Sequence, residues 1–246
     1  MRMLRAAILI ACTLTGWQLL FWWAGSNALT SPLDTISYTL QLLGSPSFYP
    51  HLAETAQAFA IALGIAISCG IFIGFSLGLY RFAGEVGEPV LVALYSIPKI
   101  TLYPIVLLAF GIGMPAKIAF GAIHGIVPVA IFALSAVRNL NPVYAKTARV
   151  MRMPSAHIAS HVLLPAAIPE IFTGIRIGFS LTLIGTLLGE MFASQRGLGY
   201  LLIQAIGLHN VRTIMALTLL LVVIAVTASA ILLAVDRRLR RRIGAV

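Results

Sequence analysis

Residues 55–80 read TAQAFAIALGIAISCGIFIGFSLGLY and include no side chain with a formal charge. The hydrocarbon core of a bilayer is about 30 Å thick and is crossed by roughly 20 apolar residues in a helix, so this stretch is long enough to span it. Glycines stand within it at positions 64, 70, 74 and 78, and small residues let neighbouring helices approach closely. The stretch is typical of a membrane-spanning helix whose glycines serve packing.

The composition of the whole chain gives the same indication. Of its 246 residues, 60% are hydrophobic and only 10% are charged, which is far from the balance of a water-exposed globular protein. The sequence therefore predicts an all-α, polytopic membrane protein with about six transmembrane helices in a single domain, 1–246. The formal charge of +10 comes from basic residues scattered between apolar runs, a pattern that does not indicate nucleic-acid binding. Cys12 and Cys69 lie within apolar runs and indicate no disulfide, metal or redox site.

Further spans are predicted at residues 5–32, 89–113, 118–137, 171–193 and 213–235. The first has a basic start that also fits a signal peptide, but its apolar run is longer and no clean cleavage site follows. The third is interrupted by Pro98, Lys99 and Pro104, so its helix must be kinked or broken. We therefore expect the third span to face the protein interior.

The segments between the spans differ in charge. With the N-terminus in the cytoplasm, twelve Lys and Arg residues fall inside and only Lys117, Arg196 and Arg212 fall outside. Basic residues are enriched in cytoplasmic loops, so we expect both termini, the loop 138–165 and the basic tail 236–246 to be cytoplasmic. In the outer segment 26–50, apolar residues at spacings of three and four predict a short helix, lying either along the membrane interface or in an ordinary loop.

The loop 138–165 is the longest polar segment. Its basic residues alternate with apolar ones at roughly helical spacing, which indicates a partly amphipathic, water-exposed helix suited to a soluble partner. The loop resembles the cytoplasmic loop of binding-protein-dependent importer permeases, which begins Glu-Ala-Ala, continues to a Gly and ends in Leu-Pro. The closing Leu-Pro is present here, and counting back from it places Lys146 at the Glu position, Thr147 and Ala148 at the Ala positions and Arg152 at the Gly position.

Other stretches are similar to the nitrate, sulfonate, taurine and bicarbonate branch of these permeases. They are Ile97-Pro98-Lys99, Pro104, Phe110-Gly111-Ile112-Gly113, Lys117-Ile118, the segments 164–169 and 173–178, Gly189-Glu190 and Gly197-Leu198-Gly199-Tyr200. The resemblance covers roughly residues 50–235 in the expected order, and it does not indicate which solute is moved.

The resemblance implies a type I ABC importer permease fold in a bacterial inner membrane. Two permease copies, expected to be identical, would form the pathway for a small solute, and an outer binding protein would deliver it. Two ATP-binding cassette ATPase subunits would bind ATP and Mg. The chain itself is expected to be no enzyme and to bind no cofactor, since residues 111–117 lack the second glycine and the Ser or Thr of a phosphate loop.

By the same resemblance, coupling to the ATPase is assigned to one cytoplasmic segment. Because Lys146 replaces the usual acidic residue, we expect compensating acid on the partner. The segment consists of Tyr144, Ala145, Lys146, Thr147, Ala148, Arg149, Arg152, Met153 and Pro154.

Polar side chains within apolar spans are candidates for the translocation pathway or its gate, since a charge in lipid is costly and usually faces a cavity or a partner. Lys99 is expected to attract an anionic solute, or else to pair with a carbonyl or with Glu190. Glu190 is expected near the outer mouth as a gate or docking residue, and Arg176 to snorkel inward, as a structural or a pathway residue. Ser96, Thr101 and Tyr103 either line the path or bond between helices.

Two other classes fit the composition. A secondary transporter or channel for a small solute also uses broken helices and intramembrane charge, but the sequence has no internal two-fold repeat and no acidic relay. An intramembrane enzyme is disfavoured because no paired carboxylates or Ser-Lys pair stand at one depth. His124 in the fourth span is interpreted as an interior histidine rather than a metal ligand.

Overall fold

The computed structural model describes residues 2–242, and this part of the chain is helical without a β-strand. A 3-10 turn, Lys99–Leu102, joins α4 to α5, and a π-helical turn, Ile158–Leu163, joins α8 to α9. The helices are α1 (Arg2–Ala24), α2 (Pro32–Leu43), α3 (Tyr49–Leu79), α4 (Arg81–Ser96), α5 (Tyr103–Phe110), α6 (Met114–Arg138), α7 (Pro142–Val150), α8 (Ser155–His157), α9 (Leu164–Ala193), α10 (Leu198–Gly207) and α11 (Val211–Arg242).

The core is a three-helix unit in which α6 lies between α3 and α9. Small residues allow the backbones to approach, because a Cβ atom at Gly74 would clash with the Ala130 carbonyl oxygen. The predicted packing role is confirmed for Gly70, Gly74 and Gly78, which all abut α6, whereas Gly64 faces open space. The α6 helix is consequently the most buried of the long helices.

The third span is broken, as predicted. Its halves α4 and α5 are bent by 84° at the segment containing Pro98, where a proline removes a backbone donor. The first half begins at Arg81 rather than near residue 89, because extended backbone at Tyr80 ends α3 and Pro89 is accommodated inside α4.

Among the described residues, four helical segments are long and apolar enough to cross a membrane. The bent pair of α4 and α5 would be a fifth span, and the apolar part of α1, Ile8–Ala24, is shorter. The predicted count of six therefore stays a prediction. The four segments are Pro46–Leu79, Met114–Arg138, Ser155–Phe192 and Val211–Arg241.

Two of the short helices, α2 and α10, differ in whether the sequence predicts them. The predicted outer helix is α2, whose first turn is capped by Ser31, with the Ser31 hydroxyl accepting from the Asp34 amide at 3.1 Å. The α10 helix was not predicted. It begins after Gly197, whose φ of 123° favours glycine, and its first residues turn back against α9.

Candidate functional site

The predicted coupling segment is a short helix, α7, with a defined start and end. The Asn141 side chain accepts a hydrogen bond from the Val143 amide at 3.0 Å, and Pro142 occupies the first turn. At the other end the Met153 amide donates to the Ala148 carbonyl at 3.1 Å, and the Arg152 amide donates to the Arg149 carbonyl at 2.9 Å. These two bonds form a Schellman motif, which holds α7 as a separate rigid element.

The residue that closes this motif is Arg152, with φ of 54°. This left-handed conformation normally favours glycine, and Arg152 stands where the resemblance places a glycine. The local backbone geometry thus fits the importer-type loop although the residue does not.

Most of the coupling segment is exposed on the free chain. Among the described side chains of the segment, Ala148 alone is buried and Met153 is half-buried. The side chain of Ala145 lies outside the described part of the chain. The exposed members are Tyr144, Lys146, Thr147, Arg149, Arg152 and Pro154.

The polar residues of the broken span bond locally. The Lys99 Nζ donates to the Tyr95 carbonyl at 3.2 Å and lies 5.1 Å from the centre of the Tyr95 ring. The structural partner predicted for Lys99 is either a carbonyl or Glu190, and the structure shows the carbonyl. Ser96 and Thr101 donate to carbonyls of their own segment, so neither bonds between helices.

Tyr103 is buried rather than open to a lumen. Its hydroxyl is 3.5 Å from the Gly189 carbonyl, and its ring packs edge-on against Phe120. Tyr103 therefore bonds to a neighbouring helix, one of its two predicted roles. Beyond this ring, the His124 Nδ1 lies 2.8 Å from the Phe120 carbonyl, so His124 is a hydrogen-bonded interior histidine, as predicted.

Glu190 belongs to a buried cluster, which we call the outer cluster: Glu54, Thr55, Lys117 and Glu190. The Thr55 hydroxyl lies 2.8 Å and 2.9 Å from the two Glu190 oxygens, and the Gly199 amide donates to Glu190 at 3.0 Å. Lys117 Nζ is 3.7 Å from Glu190 and 3.0 Å from Glu54. The carboxylate of Glu190 thereby ties α9 to α3, α6 and the start of α10.

The outer cluster corrects two expectations. The sequence predicts Lys117 in an outer loop, but its side chain is fully buried, because α6 begins at Met114 and brings it between two carboxylates. Glu190 is also fully buried, so in this structure it offers no surface for docking. Sequence reasoning missed Glu54 and the pairing of Lys117 with Glu190; the available signal is that a lysine adjoining an apolar span needs a carboxylate partner.

A second cluster, the inner cluster, consists of Thr173, Arg176, Asp236 and Arg240. Arg176 and Arg240 both pair with Asp236, at 3.3 Å and 3.2 Å, and Arg240 also donates to the Thr173 hydroxyl at 2.8 Å. These contacts place the end of α11 beside the first turns of α9. Asp236 is the partner of Arg176 that sequence reasoning missed, since from the sequence it is only the first residue of the basic tail.

The amino-acid sequence that forms these helices matches a known family of membrane proteins. The family model for the inner membrane component of binding-protein-dependent transport systems matches residues 66–244, which include α6, α7 and both ends of the inner cluster. The chain belongs to this family.

Relatives within the family are transport permeases. The chain is 30% identical to the nitrate import permease protein NrtB of Synechocystis sp., over 83% of this chain and 77% of that protein. It is 28% identical to the taurine transport system permease protein TauC of Escherichia coli, over 94% and 86%. The chain is accordingly a translocation-pathway subunit of an ABC importer, a multi-pass inner membrane protein, and not a secondary transporter or channel.

Solved structures share the permease fold. A chain in the crystal structure of an amino acid ABC transporter with histidines has a TM-score of 0.64, with 19% identity, over 85% of this chain and 99% of that one. A chain of the MetNI methionine ABC transporter has a TM-score of 0.59, with 20% identity, over 79% and 93%. The predicted all-α importer permease fold is confirmed.

Proposed function

We propose that two copies of this permease form the pathway for a small solute, which an outer binding protein delivers. ATP-binding cassette subunits carrying ATP and Mg would dock on α7 from the cytoplasm, and the permease itself would bind no cofactor. The observation that supports this proposal is the exposed basic helix α7, fixed by a cap and a Schellman motif between two long core helices. A rigid element in that place transmits a movement of the ATPase to α6 and α9.

The inner cluster supports the proposed orientation. Because Arg176 and Arg240 hold the end of α11 beside the start of α9, the basic tail lies on the same side as the coupling loop. Placing both in the cytoplasm agrees with the enrichment of basic residues there. A cysteine introduced at position 149 should resist impermeant reagents in intact cells, whereas one at position 194 should react. The reverse labelling would contradict the orientation.

Charge reversal on α7 tests the coupling role. The complex is purified through a tag on the permease, and ATP hydrolysis that copurifies with it is measured for the Lys146→Glu/Arg149→Glu variant. We expect this variant to lose most of that hydrolysis, since both side chains are exposed on the docking helix. The matched control is Arg237→Glu, an exposed arginine of the tail, which should keep it. Hydrolysis that is normal in the α7 variant would refute the docking site.

The pathway residues are a finer part of the same proposal. Lys99, beside the bend of the third span, is proposed to attract an anionic solute, and Ser96 and Thr101 to lie near the same path. Ser96 and Thr101 are both exposed on the permease, although each hydroxyl donates to a carbonyl of its own segment. Tyr103 and Glu190 are proposed to act only through packing, because both are buried.

A further inference from the structure

A cavity of about 280 Å³ lies between α4, α9 and α11. It reaches from the level of the inner cluster toward the middle of the membrane, since Ser229 stands seven residues before Asp236, or about 10 Å along a helix. Its walls combine a cation, three hydroxyl groups and apolar side chains. The lining residues are Tyr95, Arg176, Ile177, Ser180, Leu181, Ser229 and Leu232.

The cation of this cavity has unused hydrogen-bond donors. A guanidinium group has five N–H donors, and Arg176 makes one hydrogen bond within the described part of the chain, to Asp236 at 3.3 Å. Asp236 is at the same time bound by Arg240, whose remaining bonds go to Thr173 and to the Pro169 carbonyl. Two guanidinium groups thus share one carboxylate, and the positive excess faces the cavity through Arg176.

The hydroxyl groups of the cavity are also free to bind. Ser180 follows Arg176 by one helical turn and so stands on the same face of α9. Between residues 2 and 242, no hydrogen bond from the hydroxyl groups of Tyr95, Ser180 or Ser229 to another side chain or carbonyl is present. Serines in apolar helices usually satisfy themselves on the preceding turn, so two that do not are available to a ligand.

A second cation stands behind the cavity wall. Lys99 lies over the ring of Tyr95, 5.1 Å from its centre, and its Nζ is bound to the carbonyl of the same residue. A second positive charge therefore lies next to a residue of the cavity wall, although Lys99 itself does not line the cavity. Among the described residues that line the cavity there is no acidic side chain, and nearby Asp236 is buried and paired with two arginines.

We propose that this cavity is a binding site for an oxyanion. Planar and tetrahedral oxyanions accept paired bonds from a guanidinium fork, and their other oxygens accept bonds from hydroxyl groups. A cation would meet Arg176, and an apolar solute would leave the donors unsatisfied in a region where that is costly. The cavity volume of about 280 Å³ corresponds to several water molecules of about 30 Å³ each, which leaves room for a small oxyanion.

The oxyanion has two possible sources with the same chemistry. It is either a dissolved solute such as a nitrate or sulfonate ion, or the phosphate of an anionic lipid. The dissolved source rests on the proposed transport function, whereas the lipid source does not.

The experiment measures protection of the purified complex against heating. Retention of the permease in the monodisperse chromatographic peak is followed with nitrate, sulfate or methanesulfonate against chloride at equal ionic strength. In a second arm, phosphatidylglycerol is compared with phosphatidylcholine at equal lipid content. We expect protection in one arm, and that arm identifies the source.

Variants connect the protection to the cavity. Ser180→Ala/Ser229→Ala removes two hydroxyls without touching the pair with Asp236, and should raise the half-maximal oxyanion or lipid concentration about tenfold. Arg176→Lys keeps the charge but removes the fork, and should raise it at least as much. The matched control is Ser68→Ala, an exposed serine bonded to its own helix, which should leave it unchanged.

Two results would overturn the site: no specific protection in either arm, or equal protection in the wild type and both cavity variants. The copurifying ATP hydrolysis is measured on the same samples. If hydrolysis is normal while protection is absent, the oxyanion site fails and the proposed transport function stands.

Discussion

The outer and inner clusters solve the same physical problem in opposite ways. Charges in a membrane protein need partners, and each cluster joins α9 to other helices through ion pairs. In the outer cluster two carboxylates surround one lysine, and both Lys117 and Glu190 are fully buried. In the inner cluster two arginines surround one carboxylate, and both arginines are about one-third exposed.

The difference separates a structural site from one that can bind a ligand. The donors and acceptors of the outer cluster are directed at one another and at backbone groups, including the Arg196 carbonyl at 3.2 Å from Lys117. The inner cluster keeps spare donors that border a cavity. We therefore expect the outer cluster to control stability and the inner cluster to control binding.

The largest effect is expected for Lys117→Met. This change leaves Glu190 buried without a charged partner, and breaking a buried ion pair typically costs about 3–5 kcal/mol. The yield of folded permease and its melting temperature should fall sharply. Adding Glu190→Gln should recover part of the loss, because the amide still hydrogen-bonds without a charge. A Lys117→Met variant as stable as the wild type would remove the distinction between the clusters.

A smaller effect is expected for Arg176→Met in the inner cluster. Asp236 keeps its pair with Arg240, and the Arg176 side chain is one-third exposed, so we expect the loss of its pair to cost only about 1 kcal/mol. Melting of the purified permease should therefore shift by much less than for Lys117→Met. A loss of stability that equals the loss in Lys117→Met would show that the inner cluster is structural as well.

In a third region, the coupling loop, we expect a substitution to stabilise the local structure rather than to weaken it. Arg152→Gly relieves a left-handed conformation that costs a non-glycine residue about 1 kcal/mol. Amide exchange of α7 should slow, while melting of the core, which is set by the outer cluster, should stay the same. Val150→Gly, at the last residue of α7, is the control and should speed exchange, since glycine has a lower helix propensity than valine. Faster exchange in Arg152→Gly would contradict the role of the Schellman motif.

The sequence predicted the elements that depend on local chemistry. The long apolar runs, the break at Pro98 and the loop between α6 and α9 each follow from residues close together in the chain. The coupling helix followed from charge alternation within one loop. Even the small helix α2 was visible in the spacing of four apolar residues.

The clusters could not be predicted in the same way, because they join residues far apart in the chain. Thr55 and Glu190 are separated by 135 residues, and Arg176 and Asp236 by 60. A charged residue indicates that a partner must exist, but not which one. The sequence therefore suggests Glu190 as a possible partner of Lys99 and suggests none for Lys117. The packing of α3, α6 and α9 decides this choice, and that packing depends on where glycines let a neighbouring helix approach, as at Gly74 beside Ala130.

The smallest effect on stability is expected for Lys99→Met, which belongs to neither cluster. Its ammonium group has a carbonyl and an aromatic ring as partners, and no carboxylate within the described residues loses its counter-ion when it is removed. Melting should therefore change little, and Glu190→Gln should not restore anything in the double variant. If Lys99 attracts an anionic solute, uptake by the purified complex should still weaken, with a higher half-saturating concentration. Wild-type uptake in Lys99→Met would contradict a pathway role for this lysine. Weakened uptake at unchanged stability would indicate that Lys99 and the cavity beside Arg176, which share Tyr95, act on the same solute.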